Sequence, residues 1–379
     1  MKGNERRSRF PIFLLALILI LGAALAYGVV LAPARAKALF GPADARLNLL
    51  QRSRSALALL DARDELLSSR GDAGNSGKFS IEADESVRAI CTRLEAEGYV
   101  SSADAVCTFL TYAGLDRMVQ AGTFTLSENL TSVEIARRIA DPAARDISLR
   151  VFAGWRMEEI AAAVDASGFI FSGEEFLNLA LNPPSEARTL LNLPESATLE
   201  GYFLPDSYSF EPDIPLESMI PVMLARFASA AQDSRLQEGL ARQNISLHQA
   251  VILASIIERE TRADEEKARI ASVFYNRLAA NMRLETDPTV QYALGYDSAA
   301  GTWWKSPLPL DDLAINSPYN TYLYQGLPPG PISNPAMTTI LAAVQPEETP
   351  YYFFRARCDG SGTHVFSVTY EEHLNNACP

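Results

Sequence analysis

The sequence predicts an α+β protein on a single N-terminal transmembrane helix, with a small subdomain of two strands and three helices and then a mixed α/β domain. Three observations predict this. Residues 11–32, PIFLLALILILGAALAYGVVLA, hold no charge over 22 positions, enough to span a bilayer as a helix. Residues 78–145 alternate short extended and helix-periodic segments. The rest of the chain mixes helical periodicity with short aromatic strands.

Taken in order, residues 1–10 carry Lys2, Arg6, Arg7 and Arg9 against Glu5, a basic flank expected to stay in the cytoplasm and leave everything after Pro33 outside. The span is read as 11–33. A cleaved signal peptide, with Ala24 and Ala26 at its small-residue site, is the competing reading, but the apolar run continues past that site. Residues 34–77 are read as a juxtamembrane stalk, weakly amphipathic over 45–69, ending in the flexible linker RGDAGNSGK, 70–78. In the subdomain, 78–83 and 121–126 read as strands. SVRAICTRLEAEGY and SADAVCTFLTYAG read as helices, as does TSVEIARRIAD with Thr131 as N-cap. The domain from 146 to 379 begins with extended ISLRVF. Amphipathic GWRMEEIAAAVDASG follows, then extended, aromatic LEGYFLPDSYSF and a helical stretch over 215–242. The domain closes with a β-hairpin and a last helix.

The formal net charge of −13 argues against nucleic acid as a partner. His248, His364 and His373 show no HExxH spacing, and the sequence has no Walker loop and no G-x-S-x-G. No metal or cofactor is expected. Four cysteines suit an oxidising compartment. Local bridges Cys91–Cys107 and Cys358–Cys378 are one reading, four buried thiols the other.

The chemistry centres on ASIIERETR, 254–262. Ser246 and Gln249 form a capping-box pattern that starts a helix at Leu247. From Ala250 to Ile257 that helix is apolar but for Ser255, so it is expected to be buried all round. Glu258 follows on the face of Ala250, Val251 and Ala254, and a carboxyl in an apolar pocket is raised toward neutral pKa, as a proton donor needs. Glu260 lies about 200° round the helix. The plainer reading pairs both with Arg259, Arg262 or Lys267 on a solvated helix end. An amphipathic helix, 264–280, comes next. RLETDPTVQYALG follows, with Asp287 expected as N-cap and Pro288 as first helical residue. The loop AINSPYNTYLYQGLPPGPISNP, 314–335, offers amides, hydroxyls and aromatic faces of the kind that hold a sugar.

Together LEGYFLPDSY, ASIIERET, ASVFYNRL, MRLETDPTVQYALG and SPYNTYLYQGLPPGPISNP resemble, in order, the motifs of the YceG-like endolytic murein transglycosylases, the MltG family. The resemblance covers 78 to about 375 and the N-terminal anchor. It implies a LysM-like subdomain at 78–145, a catalytic domain at 146–379, and catalysis by the first glutamate of the A-S-I-x-E-x-E-T motif, here Glu258. It implies cleavage of the MurNAc–GlcNAc bond of nascent peptidoglycan strands to 1,6-anhydroMurNAc ends, which terminates elongation near peptidoglycan synthases. Expected substrate contacts are Glu260, Thr286, Asp287, Gln291, Tyr292, Asn316, Ser317, Tyr319, Asn320 and Tyr322. A membrane-anchored peptidoglycan-binding scaffold without turnover is the rival, and a true hydrolase leaving reducing ends a lesser one.

Overall fold

The structure, a computed structural model, describes residues 10–69, 76–127 and 129–378. The basic flank 1–9 and most of the expected linker, 70–75, lie outside the described residues. The chain divides into two units between Ile147 and Ser148.

In the first unit, α1 (Phe10–Ala26) runs through a π turn, Tyr27–Leu31, into α2 (Ala32–Phe40). Residues Phe13–Phe40 are long and apolar enough to cross a membrane. The helix does not end at Pro33. That proline sits in the first turn of α2, where it cannot donate to the carbonyl one turn back, and the widened turn before it accommodates the missing bond. Gly41, at φ 95°, ends α2. Next come α3 (Leu49–Asp61), opened by an Asn48–Gln51 capping box, and α4 (Arg63–Leu67).

The stalk reading of this segment is corrected. Ala36, Phe40, Ala56, Leu59 and Leu66 are buried in one core with Phe79, Leu94, Phe109 and Phe124. Small residues such as Ala36 and Ala56 let helices approach closely while adding little to an amphipathic pattern, which is why the sequence reads as weakly patterned. β1 (Ser76–Ile81) pairs antiparallel with β2 (Gly122–Ser127), Ser76 opposite Ser127 and Ile81 opposite Gly122. β1 therefore starts two residues earlier than expected, because Ser76 and Gly77 join the ladder. Between the strands lie α5 (Val87–Ala96) and α6 (Ala103–Ala113), joined by a Cys91–Cys107 bridge with a Cα separation of 6.0 Å. After β2, α7 (Ser132–Ile139) opens with a Thr131–Glu134 capping box.

In the second unit, β3 (Ile147–Val151) pairs with β4 (Asp206–Phe210), with α8 (Met157–Ser167), α9 (Gly173–Leu181) and α10 (Ser185–Leu191) between them in the chain. The stretch expected as helical over 215–242 is two helices, α11 (Leu216–Ala230) and α12 (Ser234–Gln243). Asp233 accepts from the Arg235 N–H and restarts the helix there. The central element is α13 (Leu247–Glu260), begun by the Ser246–Gln249 capping box. All eight residues from Ala250 to Ile257 are buried, and each of Val251, Ile252, Leu253, Ile256 and Ile257 contributes about 1.5–3 kcal/mol by leaving water. Ser255, the polar member of the run, accepts from the Ile332 N–H at 3.0 Å, while its carbonyl accepts from the Ser333 hydroxyl. It thus fastens α13 to the end of the 314–335 loop. Gly201, at φ 88°, lets the LEGYF segment approach Pro331 and Val251, either of which would meet an added Cβ at 2.7–2.8 Å.

The chain continues through α14 (Asp264–Ala279), α15 (Asp287–Leu294), α16 (Met337–Val344), the antiparallel pair β5 (Phe353–Ala356) and β6 (His364–Ser367), and α17 (Tyr370–Asn375). A Cys358–Cys378 bridge joins the hairpin to the segment after α17.

Candidate active site

The last turn of α13 carries two carboxyls with unlike surroundings. The Glu258 side chain is 9% exposed. Its Oε1 accepts from Lys267 Nζ at 3.2 Å. Its Oε2 accepts from the Ala336 N–H at 2.9 Å and from the Thr339 hydroxyl. Lys267 is buried too and also pairs with Asp264 at 2.7 Å. Both Glu258 oxygens are thus met by donors from α14 and the start of α16. The plainer sequence reading was right about Lys267 and wrong about solvation, since the pair is buried. Glu258, the expected proton donor, thus has both carboxyl oxygens already engaged by protein donors. A carboxylate held this way positions helices.

Glu260 differs. It lines a cleft of about 330 Å³ with Arg277, Leu284, Glu285, Asp287, Tyr322, Phe353, Phe354, Tyr370 and His373. Burial pushes its carboxyl up to about 8, and the negative charge of Asp287 adds to the rise against the pull of Arg277. Both effects favour its protonated form, and it faces the cleft. Asp287 is exposed at the start of α15, where Thr286, not Asp287, holds the N-cap position. Its Oδ1 instead accepts the Tyr322 hydroxyl at 2.7 Å. Arg277 is fixed by the carbonyls of Tyr352 (2.6 Å) and Leu284 (2.9 Å) and by Glu285 (3.3 Å), with its guanidinium 5.0 Å from the Phe353 ring centre.

Of the ten expected substrate contacts, the cleft brings together Glu260, Asp287 and Tyr322. The others do not line it. Thr286 is buried, bonding through its N–H and hydroxyl to Thr321 and Thr289. Asn320 is fully buried. Its amide donates to the Leu313 and Ile315 carbonyls, both at 2.9 Å, and its oxygen accepts from the Tyr322 N–H, so it braces the loop from inside. Gln291 donates to the Lys305 carbonyl at 2.8 Å. Tyr292 and Tyr319 pack together at 4.8 Å, with the buried Arg156 guanidinium 4.2 Å from the Tyr292 ring. Asn316 accepts from the Tyr324 hydroxyl, and Ser317 from the Tyr319 N–H.

Sequence reasoning gave no role to Arg277, Glu285, Tyr370 or His373 in the cleft, nor to Thr339 behind Glu258. Arg277 lies within the quoted ASVFYNRL motif, which was its available signal. A second buried acid, Glu200 of the LEGYF motif, accepts from the Asn334 amide at 3.0 Å and the Met157 N–H at 3.2 Å, and burial lifts it to about 8. At 1% exposure it is closed to substrate.

The chain is similar to several known proteins. An endolytic murein transglycosylase of Bacillus subtilis (strain 168) is 32% identical over 314 residues, covering 80% of this chain and 84% of that protein. Another from Streptococcus pneumoniae serotype 2 is 25% identical over 334 residues, covering 80% of this chain but 58% of its longer partner. The crystal structure of a YceG-like protein from Listeria monocytogenes superposes with a TM-score of 0.53 at 31% identity, covering 80% of this chain and 99% of that one. Residues 79–378, which include the whole Glu260 cleft, match the YceG-like family, and the chain belongs to it.

Proposed function

We propose that the chain is an endolytic murein transglycosylase whose proton donor is Glu260. The observation that carries this reading is a carboxyl lifted to about 8 in an open cleft at the end of a buried helix. Ordinary glycosidases flank the bond with two carboxyls, one of which activates water or attacks the sugar. A transglycosylase needs one. Glu260 gives its proton to the oxygen between MurNAc C1 and the leaving GlcNAc. The C1–O bond breaks, the C6 hydroxyl of the same MurNAc closes on C1, and its proton returns to Glu260. No water is consumed, and the end formed is 1,6-anhydroMurNAc. Asp287, oriented by Tyr322, places negative charge beside the positive charge that develops at C1. Glu258 holds α13 against α14 and α16 so that Glu260 stays in register.

Digestion of purified glycan strands by wild type and Glu260→Gln, read by mass spectrometry, tests the assignment. Anhydro ends from the wild type and none from the variant are expected. Reducing ends would mean hydrolysis, and equal products from both would move the acid elsewhere. Absence of any wild-type cleavage would favour a scaffold that only binds peptidoglycan.

The helix through Phe13–Phe40 supports a membrane anchor, and the basic flank supports a cytoplasmic N-terminus with the catalytic unit outside. A C-terminal reporter active only in the cytoplasm would overturn that orientation. The antiparallel β1–β2 pair enclosing α5 and α6 supports reading the small unit as LysM-like. Work beside peptidoglycan synthases, ending strand elongation, completes the proposal.

A further inference from the structure

Part of the cleft lining, Phe353, Phe354, Tyr370 and His373, belongs to the C-terminal hairpin and helix, to which the mechanism gives no task. Tyr370 is 62% exposed yet lines the cleft. Its ring centre lies 5.8 Å from Phe353 and 6.1 Å from His373, nearly parallel to the latter at 27°, and Phe353 and His373 are 5.4 Å apart. Three rings thus cluster beside Arg277, with Tyr370 the most exposed of them. Burial and the nearby Arg355 and Arg277 hold the His373 imidazole below its ordinary value, so it is a neutral ring. Glu260, Glu285 and Asp287 also line the cleft, with Arg277 as the cation. Aromatic rings together with carboxyl and guanidinium groups match a pyranose, which is apolar on its C–H face and ringed by hydroxyls that both donate and accept. The excess of carboxyls disfavours an anionic ring.

We propose that Tyr370, backed by Phe353 and His373, is a stacking platform for a neutral N-acetylhexosamine ring of the glycan, and that the Cys358–Cys378 bridge holds it in place. The platform rests on reading the Glu260 cleft as a glycan cleft. α17 has six residues and buries none of them, and so short a helix has little stability of its own. It is held by its Thr369–Glu372 capping box, by Arg355 bonding to the His373 carbonyl at 3.3 Å, by Asn376 bonding to Ser367 at 3.0 Å, and by the covalent link just beyond it. In this chain a cystine does the work that a buried apolar face does for other helices.

The test uses full-length protein in detergent carrying Glu260→Gln, so that binding is read without cleavage. The probe is N,N′,N″,N‴-tetraacetylchitotetraose, followed by isothermal titration. Adding Tyr370→Ala should weaken binding roughly five- to tenfold, the worth of one ring contact, while Tyr370→Trp should retain it. The Cys358→Ser/Cys378→Ser pair should lose a similar factor, with the thermal unfolding of the remaining domain preserved. Unchanged affinity in Tyr370→Ala, or no tetrasaccharide binding by Glu260→Gln while wild type cleaves strands, overturns the platform. Full affinity in the double serine variant overturns the part assigned to the bridge. Tyr370-dependent binding by a protein whose wild type never cleaves strands would uphold the platform and sink the catalytic reading, so the two fail separately.

Discussion

Glu258 and Glu260 are two residues apart on one helix turn, yet one is fastened and the other open. Glu258 meets an ammonium, a backbone N–H and a hydroxyl. Glu260 meets a cleft and a neighbouring carboxyl. The same residue type is held by donors where other helices converge, and is pushed toward its protonated form where burial goes uncompensated. Buriedness in a helix pattern therefore does not identify a proton donor. What matters is whether the burial is matched by donors.

The sharpest way to break this comparison is to swap the two losses. Glu260→Gln should lower turnover by at least about 100-fold, the usual contribution of general acid catalysis. Stability should hold within about 1 kcal/mol, because no ion pair is lost, and calorimetry beside the strand assay reads both. Lys267→Ala should do the reverse. It leaves Glu258 buried without its cation and should cost about 3–5 kcal/mol of unfolding free energy in denaturant titrations, with turnover per folded molecule retained. Glu258→Gln should cost less, about 1–3 kcal/mol, since Lys267 keeps Asp264. If Glu258→Gln abolishes turnover in fully folded protein while Glu260→Gln does not, the assignment is wrong.

Asn320→Ala sharpens a second contrast, between residues that make the loop and residues that face the cleft. Removing its amide strands two carbonyls and should cost about 1–3 kcal/mol, whereas Tyr322→Phe at the surface of the same loop should leave stability within about 0.5 kcal/mol and slow turnover a few-fold through Asp287. The pH profile gives a graded test. Glu260 must be protonated to act, so turnover should fall as pH rises through about 8. The same raised value fixes the sign for stability. In the unfolded chain this carboxyl titrates near 4.5, so its favourable contribution is complete below that and is lost as pH rises through 8. Glu200 adds a second loss of the same sign over the same range.

The sequence made some of this legible. Ser246–Gln249 and Thr131–Glu134 are local signals, and both capping boxes form. The continuous apolar run 250–257 marked α13 as buried, and the closing hairpin and helix followed from alternation and turn residues. The choice between the glutamates was not legible, because it is made by Thr339, 81 residues further along, and by the fold bringing Lys267 to the same point. Asn320 misled for a related reason. An amide in a Tyr- and Pro-rich loop suits a sugar or the loop's own carbonyls equally well, and only the closed loop shows that both of its amide bonds are spent inside. The helices α2 and α3 escaped notice as core because much of their buried face is alanine, with Phe40 and Leu59 as its large members.

The unbroken helix from α1 through α2 has a geometric consequence. At about 1.5 Å per residue, the nine residues of α2 place Phe40 only roughly 13 Å past the π turn, and Phe40 is already inside the core of the small unit. With the apolar run in lipid, that unit has no slack with which to rise or swing. A flexible insertion after Leu31 would break that direct coupling between the apolar helix and the core of the small unit.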